Sequence, residues 1–334
     1  MRPRVIPFEA NHIEGAALLL SQRCRADRLR DPMLSARFES EEARVHLEEV
    51  TSRSGACGVA AFSDNSMVGY LVGAPNLLPP THPSMLYIRP RSVLVPYGGH
   101  AAAESDMTIY RWMYAALAAQ WVAAGYFTHY VWTSAVDERT AAAWASLGFG
   151  GDVIKALATT ERPGPDTETE PPLEIRRADV ADFDAVMPMV LDNLRYHASS
   201  PIFFPYLGET ADEVSRFYRD LMADSESAVW LVIHDGEPVG VQMFRRPNDE
   251  VDEPQRCAWL DQAYVKPFAR SKGLGTALLW GSMKWARDSG YAYCKVFFMP
   301  TNLVSAGFWL SRGFRPRSRR LARHVDERVS WAYR

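Results

Sequence analysis

The chain has 334 residues, 47% hydrophobic and 23% charged, with a net charge of -3, which at roughly 100–200 residues per domain suits two folded units. That balance exerts no general pull toward nucleic acid or a membrane, and no apolar run approaches the ~20 residues that cross a bilayer. The cysteines, Cys24, Cys57, Cys257 and Cys294, are too scattered for a zinc site or a disulfide scaffold.

In chain order, the opening MRPRVIPFEANHIEG lacks the apolar core of a signal peptide, which points to a cytoplasmic protein. MVGYLVGAP (67–75) reads as a strand, and a helix-like stretch ending at Gly125-Tyr126 gives way to the strand-like YVWT. Residues 158–172, ATTERPGPDTETEPP, have four prolines and no apolar periodicity, the composition of a linker. Domains are therefore expected at 1–157 and 173–334.

After the linker the pattern predicts a strand at 173–177, helices at 180–195 and 211–223, and strands at 229–234, 239–245 and 256–265. A helix at 273–288, a strand at 292–298, a helix at 303–311 and a closing hairpin at 314–333 follow. This is an α/β chain with a mixed sheet and helices on its faces. The halves repeat one order. At an offset of 165, Gly125-Tyr126, Trp144 and Gly148-Phe149 meet Gly290-Tyr291, Trp309 and Gly313-Phe314. Gly69 and Gly240, in equivalent strands, lie 171 apart, so the halves differ by loop insertions.

The densest chemical signal is ARSKGLGTALL (269–279), where a strand, a tight loop and a helix start follow one another. A helix N-terminus leaves N–H groups unpaired and carries about half a positive charge, a seat for phosphate. Glycine at 273 and 275 removes side chains that would hold an anion off, and Arg270 and Lys272 add charge. A Walker loop would need Gly-Lys-Ser/Thr, and a dinucleotide fingerprint a small residue where Leu278 stands. As a bare pattern, R-x-x-G-x-G also fits a glycine-capped turn.

The stretch R-S-K-G-L-G follows a strand ending Y-V-K-P and precedes N-x-x-S-x-x-F-W-x-x-x-G-F (302–314). Together these motifs resemble the GNAT N-acetyltransferase superfamily across the whole second half. The first half looks like a diverged second copy, so the chain resembles a tandem GNAT protein, with two acyl-CoA N-acyltransferase folds. The resemblance implies acetyl-CoA as co-substrate and transfer of its acetyl group to a primary amine on a small molecule or peptide. It implies no metal, nucleic acid or membrane, and a monomer or homodimer. The backbone of Arg270, Ser271, Lys272, Gly273, Leu274, Gly275 and Thr276 would cradle the pyrophosphate, and that of Ala263, Tyr264 and Val265 would pair with the pantetheine arm. Asn302 and Ser305 would approach the cofactor's far end, although Thr301-Asn302 equally reads as a helix cap.

Acyl transfer to an amine needs a proton acceptor, donors for the oxyanion and an acid for the thiolate. Asp261 stands where the family's strand carries a glutamate, and equally fits a surface or bulge carboxylate. Trp309 occupies the family's usual tyrosine position, and indole is no useful acid; Tyr264, Tyr291, Tyr293 or water are the substitutes. That departure keeps open a second class, a non-catalytic coenzyme A binding or regulatory module.

In the first half, Ser105, Thr108 and Tyr110 replace Arg270, Gly273 and Gly275, and Asp137 replaces Asn302. One cofactor site per chain is expected, with the first half as scaffold or as a wall of the acceptor pocket. Tyr196, Phe203, Phe204 and Tyr206, in NLRYHASSPIFFPYLGET (193–210), are read as packing or as that pocket's wall. Glu209, Asp212 and Glu213 could attract a cationic amine, and fit a solvated helix start as well. Arg315, Arg317 and Arg319 would share one face of a strand, read as the charged face of an exposed edge. The eight histidines are dispersed and neither HExxH nor GxSxG occurs, which argues against metal and serine hydrolysis.

Overall fold

The computed structural model describes residues 2–37, 41–103, 107–161, 173–246 and 252–332. The first half runs β1 (Arg4–Pro7), α1 (Ile13–Arg30), α2 (Glu41–Ser52), β2 (Cys57–Ser63), β3 (Ser66–Pro75), β4 (Ser92–Val95) and β5 (His100–Ala102). It continues with α3 (Ile109–Ala123), β6 (Thr128–Ser134), α4 (Glu138–Ala145) and β7 (Gly150–Thr159). The second half runs β8 (Glu174–Ala178), α5 (Phe183–His197), α6 (Ala211–Ala223), β9 (Ala228–His234), β10 (Glu237–Arg245) and β11 (Cys257–Val265). It closes with α7 (Leu274–Asp288), β12 (Tyr293–Phe298), α8 (Leu303–Ser311) and β13 (Arg315–His324).

The repeat seen in the sequence has a structural cause. Both α4 and α8 end on a glycine in the left-handed region, Gly148 at φ +82° and Gly313 at +88°, where a side chain would strain the backbone. In each case the next N–H, from Phe149 or Phe314, turns back to the carbonyl of Trp144 or Trp309 at 3.2 Å, satisfying a helix-end acceptor. The tryptophan and phenylalanine rings then pack edge to face, 5.0 Å apart in one half and 5.1 Å in the other.

The strands form one continuous sheet in the order β1-β2-β3-β4-β6-β13-β7-β12-β11-β10-β9-β8, with β5 beside β3. Helices cover both faces: α1 and α2 pack opposite α3 and α4 in the first half, and α5 and α6 opposite α7 and α8 in the second. α6 shows how the pattern sets the face, since Val214, Tyr218 and Leu221 recur at helical spacing and are buried.

The halves exchange their last strands. β13, from the second half, lies antiparallel between β6 and β7, and β7, from the first, pairs with β12. Three expectations change as a result. The closing hairpin at 314–333 does not form: β13 is a single strand whose edges are both occupied, and only a 3-10 turn at Glu327–Ser330 follows. The strand is also central, which overturns the exposed-edge reading of its arginines. A register shift between Pro316 and Ser318 breaks their common face; Arg317 is buried against Asp31, Arg319 meets Glu138 at 2.6 Å, and Arg315 stays exposed. Finally, residues 158 and 159 belong to β7 rather than to the linker, whose residues 162–172 lie outside those described.

At this seam lies a buried ionic cluster. Lys155 on β7 reaches Asp252 and Glu253, each at 2.9 Å, and Lys295 on β12 reaches Glu253 at 2.7 Å. Ser318 on β13 donates to Asp252 at 3.0 Å. All four charged side chains are at least 94% removed from solvent. Among the described residues no helix is long and apolar enough to span a membrane, no acid, histidine or cysteine cluster could hold a metal, and the four cysteines form no disulfide. Replacing one partner of a buried pair strands the other charge, at about 3–5 kcal/mol. Lys295→Met is therefore expected to lower unfolding free energy in denaturant titrations by about that amount, and the double variant Lys295→Met/Glu253→Gln to recover much of the loss.

Candidate functional site

The site begins with a break in strand pairing. β11 runs parallel to β12 from Cys257 opposite Tyr293 to Leu260 opposite Val296, and there the pairing ends. On its other edge β11 stays bonded to β10 as far as Val265 opposite Gly240. The register against β10 slips at that point: Gln262 faces Met243 and Leu260 faces Phe244, which leaves Asp261 as the extra residue of a bulge. The bulge turns the following residues away from β12 and opens a cleft of about 550 Å3.

One wall is the free edge of β11, with Ala263, Tyr264 and Val265. The loop after it brings Arg270, Ser271, Gly273, Leu274, Gly275 and Thr276 to the mouth. Asn302, Ser305, Phe308, Trp309 and Arg312, from α8 and the turn before it, form the opposite wall. Asn193, Tyr196 and His197, at the end of α5, close a third side. The sequence's cofactor residues thus come together in one place, with the exception of Lys272, which is exposed and outside the lining. Asp261 does not line the cleft either.

The loop's backbone explains its glycine. Gly273 caps α7 at φ +78° with open space around its Cβ position, and Ser271 just before it also takes a positive φ of 62°. Gly275 differs. A Cβ there would make ordinary contacts, 3.5 Å from Val265 and 3.6 Å from Phe308, so its missing side chain widens the cleft rather than permitting the turn. Among the described residues, no backbone acceptor faces the N–H groups of Leu274 and Gly275, whereas Thr276 and Ala277 both donate to Gly273 at 3.0 Å. Two donors at the positive end of α7 therefore point into the opening.

The charged groups around the cleft are already oriented. Arg312 donates to the Thr276 hydroxyl at 2.8 Å and lies over the Phe308 ring at 5.2 Å. Arg270 donates to the Val265 carbonyl at 2.9 Å and stacks over Tyr196 and Tyr264, at 5.4 and 5.5 Å. Asn302 is both cap and wall: its side chain accepts from the Ser305 N–H at 3.1 Å and from the Tyr196 hydroxyl at 3.4 Å. Trp309 serves the core as well as the cleft.

Asp261 is held behind the bulge, 3.5 Å from Arg245. Burial pushes its carboxyl up from the ordinary value, and the Arg245 guanidinium partly opposes this. Burial likewise raises the Tyr264 phenol, so the ring stays protonated and able to donate. Tyr291 and Tyr293 are not in the lining. Of the aromatic loop, Phe204 packs edge to face on Tyr87 at 5.7 Å and Tyr206 joins the α5–α6 core, while Phe203 is 69% exposed.

Sequence reasoning passed over Asn193, His197, Gln242, Phe308 and Arg312, which all line the cleft. Arg312 carried a usable signal, since Ser305, Phe308 and Arg312 share a helix face. Asn193 and His197 lie in the segment 193–210 that the resemblance gives to the acceptor pocket, but nothing singled them out there, because only the fold brings the end of α5 to β11.

The equivalent place in the first half is filled. β4 pairs with β6 from Ser92 to Val95, β5 then turns to β3, and the gap is bridged by the fully buried His100 ring, 3.0 Å from the Trp132 carbonyl. Its other ring nitrogen lies 3.0 Å from the Tyr110 hydroxyl, and Tyr110 packs on Trp144 at 5.2 Å. Asp137 caps α4 by accepting from Arg139 and Thr140. Ser105 lies outside the described residues.

A glycine-capped helix start beside two parted strands in a half-repeated mixed sheet defines a class, and the comparisons agree. The model of the acetyltransferase (GNAT) family matches residues 192–314. Aminoglycoside N(6')-acetyltransferase type 1 of Klebsiella aerogenes is 31% identical over 107 residues, 32% of this chain and 70% of that protein. A GCN5-related N-acetyltransferase from Sphaerobacter thermophilus superposes with a TM-score of 0.58 at 16% identity, covering 96% of this chain and 95% of that one. A tandem GNAT protein from the clavulanic acid biosynthesis pathway does so at 0.52 and 13%, covering 97% and 99%. The chain belongs to the GNAT acetyltransferase family, and its two halves are GNAT-like lobes.

The two glycines are expected to separate on substitution. Gly273→Ala forces a side chain into the left-handed region and should cost about 1–2 kcal/mol in thermal unfolding. Gly275→Ala, inside a helix and in ordinary contact, should gain up to about 1 kcal/mol.

Proposed function

We propose that the chain transfers an acetyl group from acetyl-CoA to a primary amine, by direct attack with both substrates bound in the second-half cleft. The observation that carries this reading is the coincidence, within one cleft, of two unpaired N–H groups at the start of α7 and a free strand edge at Ala263 to Val265. The first suits a diphosphate and the second the amide-bearing arm of coenzyme A, which can bond to it as an added strand. Arg312, beside Thr276, supplies a fork for phosphate oxygens. The plugged first half argues for one cofactor per chain, with the first half, through Thr159, as a scaffold lobe and the second as a working lobe.

The chemistry asks little of an acid. A thiol of pKa near 8.5 is a tolerable leaving group, and Tyr264, protonated and facing the cleft, can stabilise the thiolate by donating a hydrogen bond. Two groups near the acceptor end can take the amine's proton: Asp261 by way of water, and His197, which faces the cleft. The aminoglycoside acetyltransferase likeness makes an aminoglycoside amine the first acceptor to try. A second reading, coenzyme A binding without turnover, rests on Trp309 standing where an acid is usual. Tight binding without thiol release across aminoglycosides, amino acids and peptides would favour it.

Gly275→Glu tests the cofactor site. An acidic residue in the first turn suits the helix, yet it places a carboxylate where the diphosphate would lie. The wild type should gain about 2.7 kcal/mol at roughly 100 times the dissociation constant of acetyl-CoA. The variant should fold normally and gain nothing. Stabilisation retained in the variant would contradict the site.

A further inference from the structure

We infer that His197 is the group that takes the proton from the attacking amine, its ring held by Tyr87 from the first half. This rests on the acyl-transfer reading above and adds a residue and a role to it.

His197 is the last residue of α5 and lines the cleft with Asn193 and Tyr196. Its Nδ1 is buried and, among the described residues, has no hydrogen-bond partner. The buried Nδ1 is closed to a substrate, so the ring's other nitrogen is the one that can meet an amine in the cleft. Asp261, by contrast, lies outside the lining and is already engaged with Arg245.

The ring's position is set from both halves. Tyr87 meets it edge to face at 6.2 Å and meets Phe204 at 5.7 Å, while the Phe204 N–H donates to the His197 carbonyl at 2.9 Å. Tyr87 is anchored in turn, because Arg320 of the exchanged strand β13 donates to its carbonyl at 2.9 Å, and the neighbouring Leu86 is buried in the α5–α6 core. The strand exchange thereby ties the first half to the acceptor end of the site.

Burial pushes the imidazole down to about 4, so at neutral pH the ring is uncharged and its lone pair is free. Tyr87, Tyr196, Tyr264 and the Arg270 guanidinium stacked over the last two are titratable and charged groups of this region, and Asp261 lies near enough to act on Tyr87. A proton gained in turnover is favoured by the negative end of the α5 dipole. In the step itself, the amine nitrogen forms a bond to the thioester carbonyl carbon, and one N–H proton passes to the accessible nitrogen of the His197 ring. The C–S bond breaks with its electron pair leaving on sulfur, and the resulting thiolate balances the imidazolium charge until the proton is passed on.

The test uses the full chain, acetyl-CoA and the aminoglycoside kanamycin as probe amine, with thiol release and acetyl-CoA binding measured in parallel. His197→Ala should lower kcat by about 100-fold with acetyl-CoA affinity unchanged, and added imidazole should restore part of the rate by entering the space left by the ring. Tyr87→Leu should lower kcat less and gain nothing from imidazole. Unchanged turnover in His197→Ala, or a loss that imidazole does not relieve, overturns the assignment and leaves the acyl-transfer reading standing. A wild type that binds acetyl-CoA but releases no thiol with this amine removes the assignment for kanamycin, and the same failure across the amine panel removes the acyl-transfer reading as well.

Discussion

Past Leu260, β11 and β12 cannot stay paired, and the rest of the site follows from that. A single extra residue at Asp261 shifts the register against β10 and turns the next side chains, so the edge that should face β12 faces space instead. Backbone N–H and C=O groups without a partner are costly to bury and remain available to a ligand that can bond to them. The helix that follows begins at this opening with a residue only glycine tolerates well, at φ +78°. Its unpaired N–H groups and the unpaired strand edge are thus two consequences of one local failure of regular structure.

The first half shows what happens when the same failure is repaired. His100, Tyr110 and Trp144 fill the gap between β5 and β6, and their hydrogen bonds and ring contacts replace what a ligand would supply. Exchange of β7 and β13 joins the first lobe to the second through a continuous sheet, with the Lys155, Asp252, Glu253 and Lys295 cluster at the seam. Charges buried to this degree do little for net stability against a hydrophobic alternative, but they penalise any register of the exchanged strands that leaves one unpaired.

Much of this was legible in the residues. The second-half elements before β13 fall within a few residues of where the periodicity puts them, because their apolar residues recur at helical or strand spacing. The loop at 269–279 was legible because its glycines and basic residues sit at a strand-to-helix junction, a feature local in sequence. The exchange of last strands was not legible. β13 has the same pattern whether it pairs with its own half or the other, and its arginines read as solvent-facing until the partners Asp31, Asp152 and Glu138 are known. His197 and Tyr87 were hidden for the same reason, since 110 residues separate them and only the sheet brings them together.

The account turns on where acetyl-CoA sits. A crystal structure of the full chain grown with acetyl-CoA should show one molecule per chain, its diphosphate on the N–H groups of Leu274 and Gly275 and its arm along Ala263 to Val265. A second molecule in the first-half lobe, or one molecule bound away from the opening between β11 and β12, would contradict it.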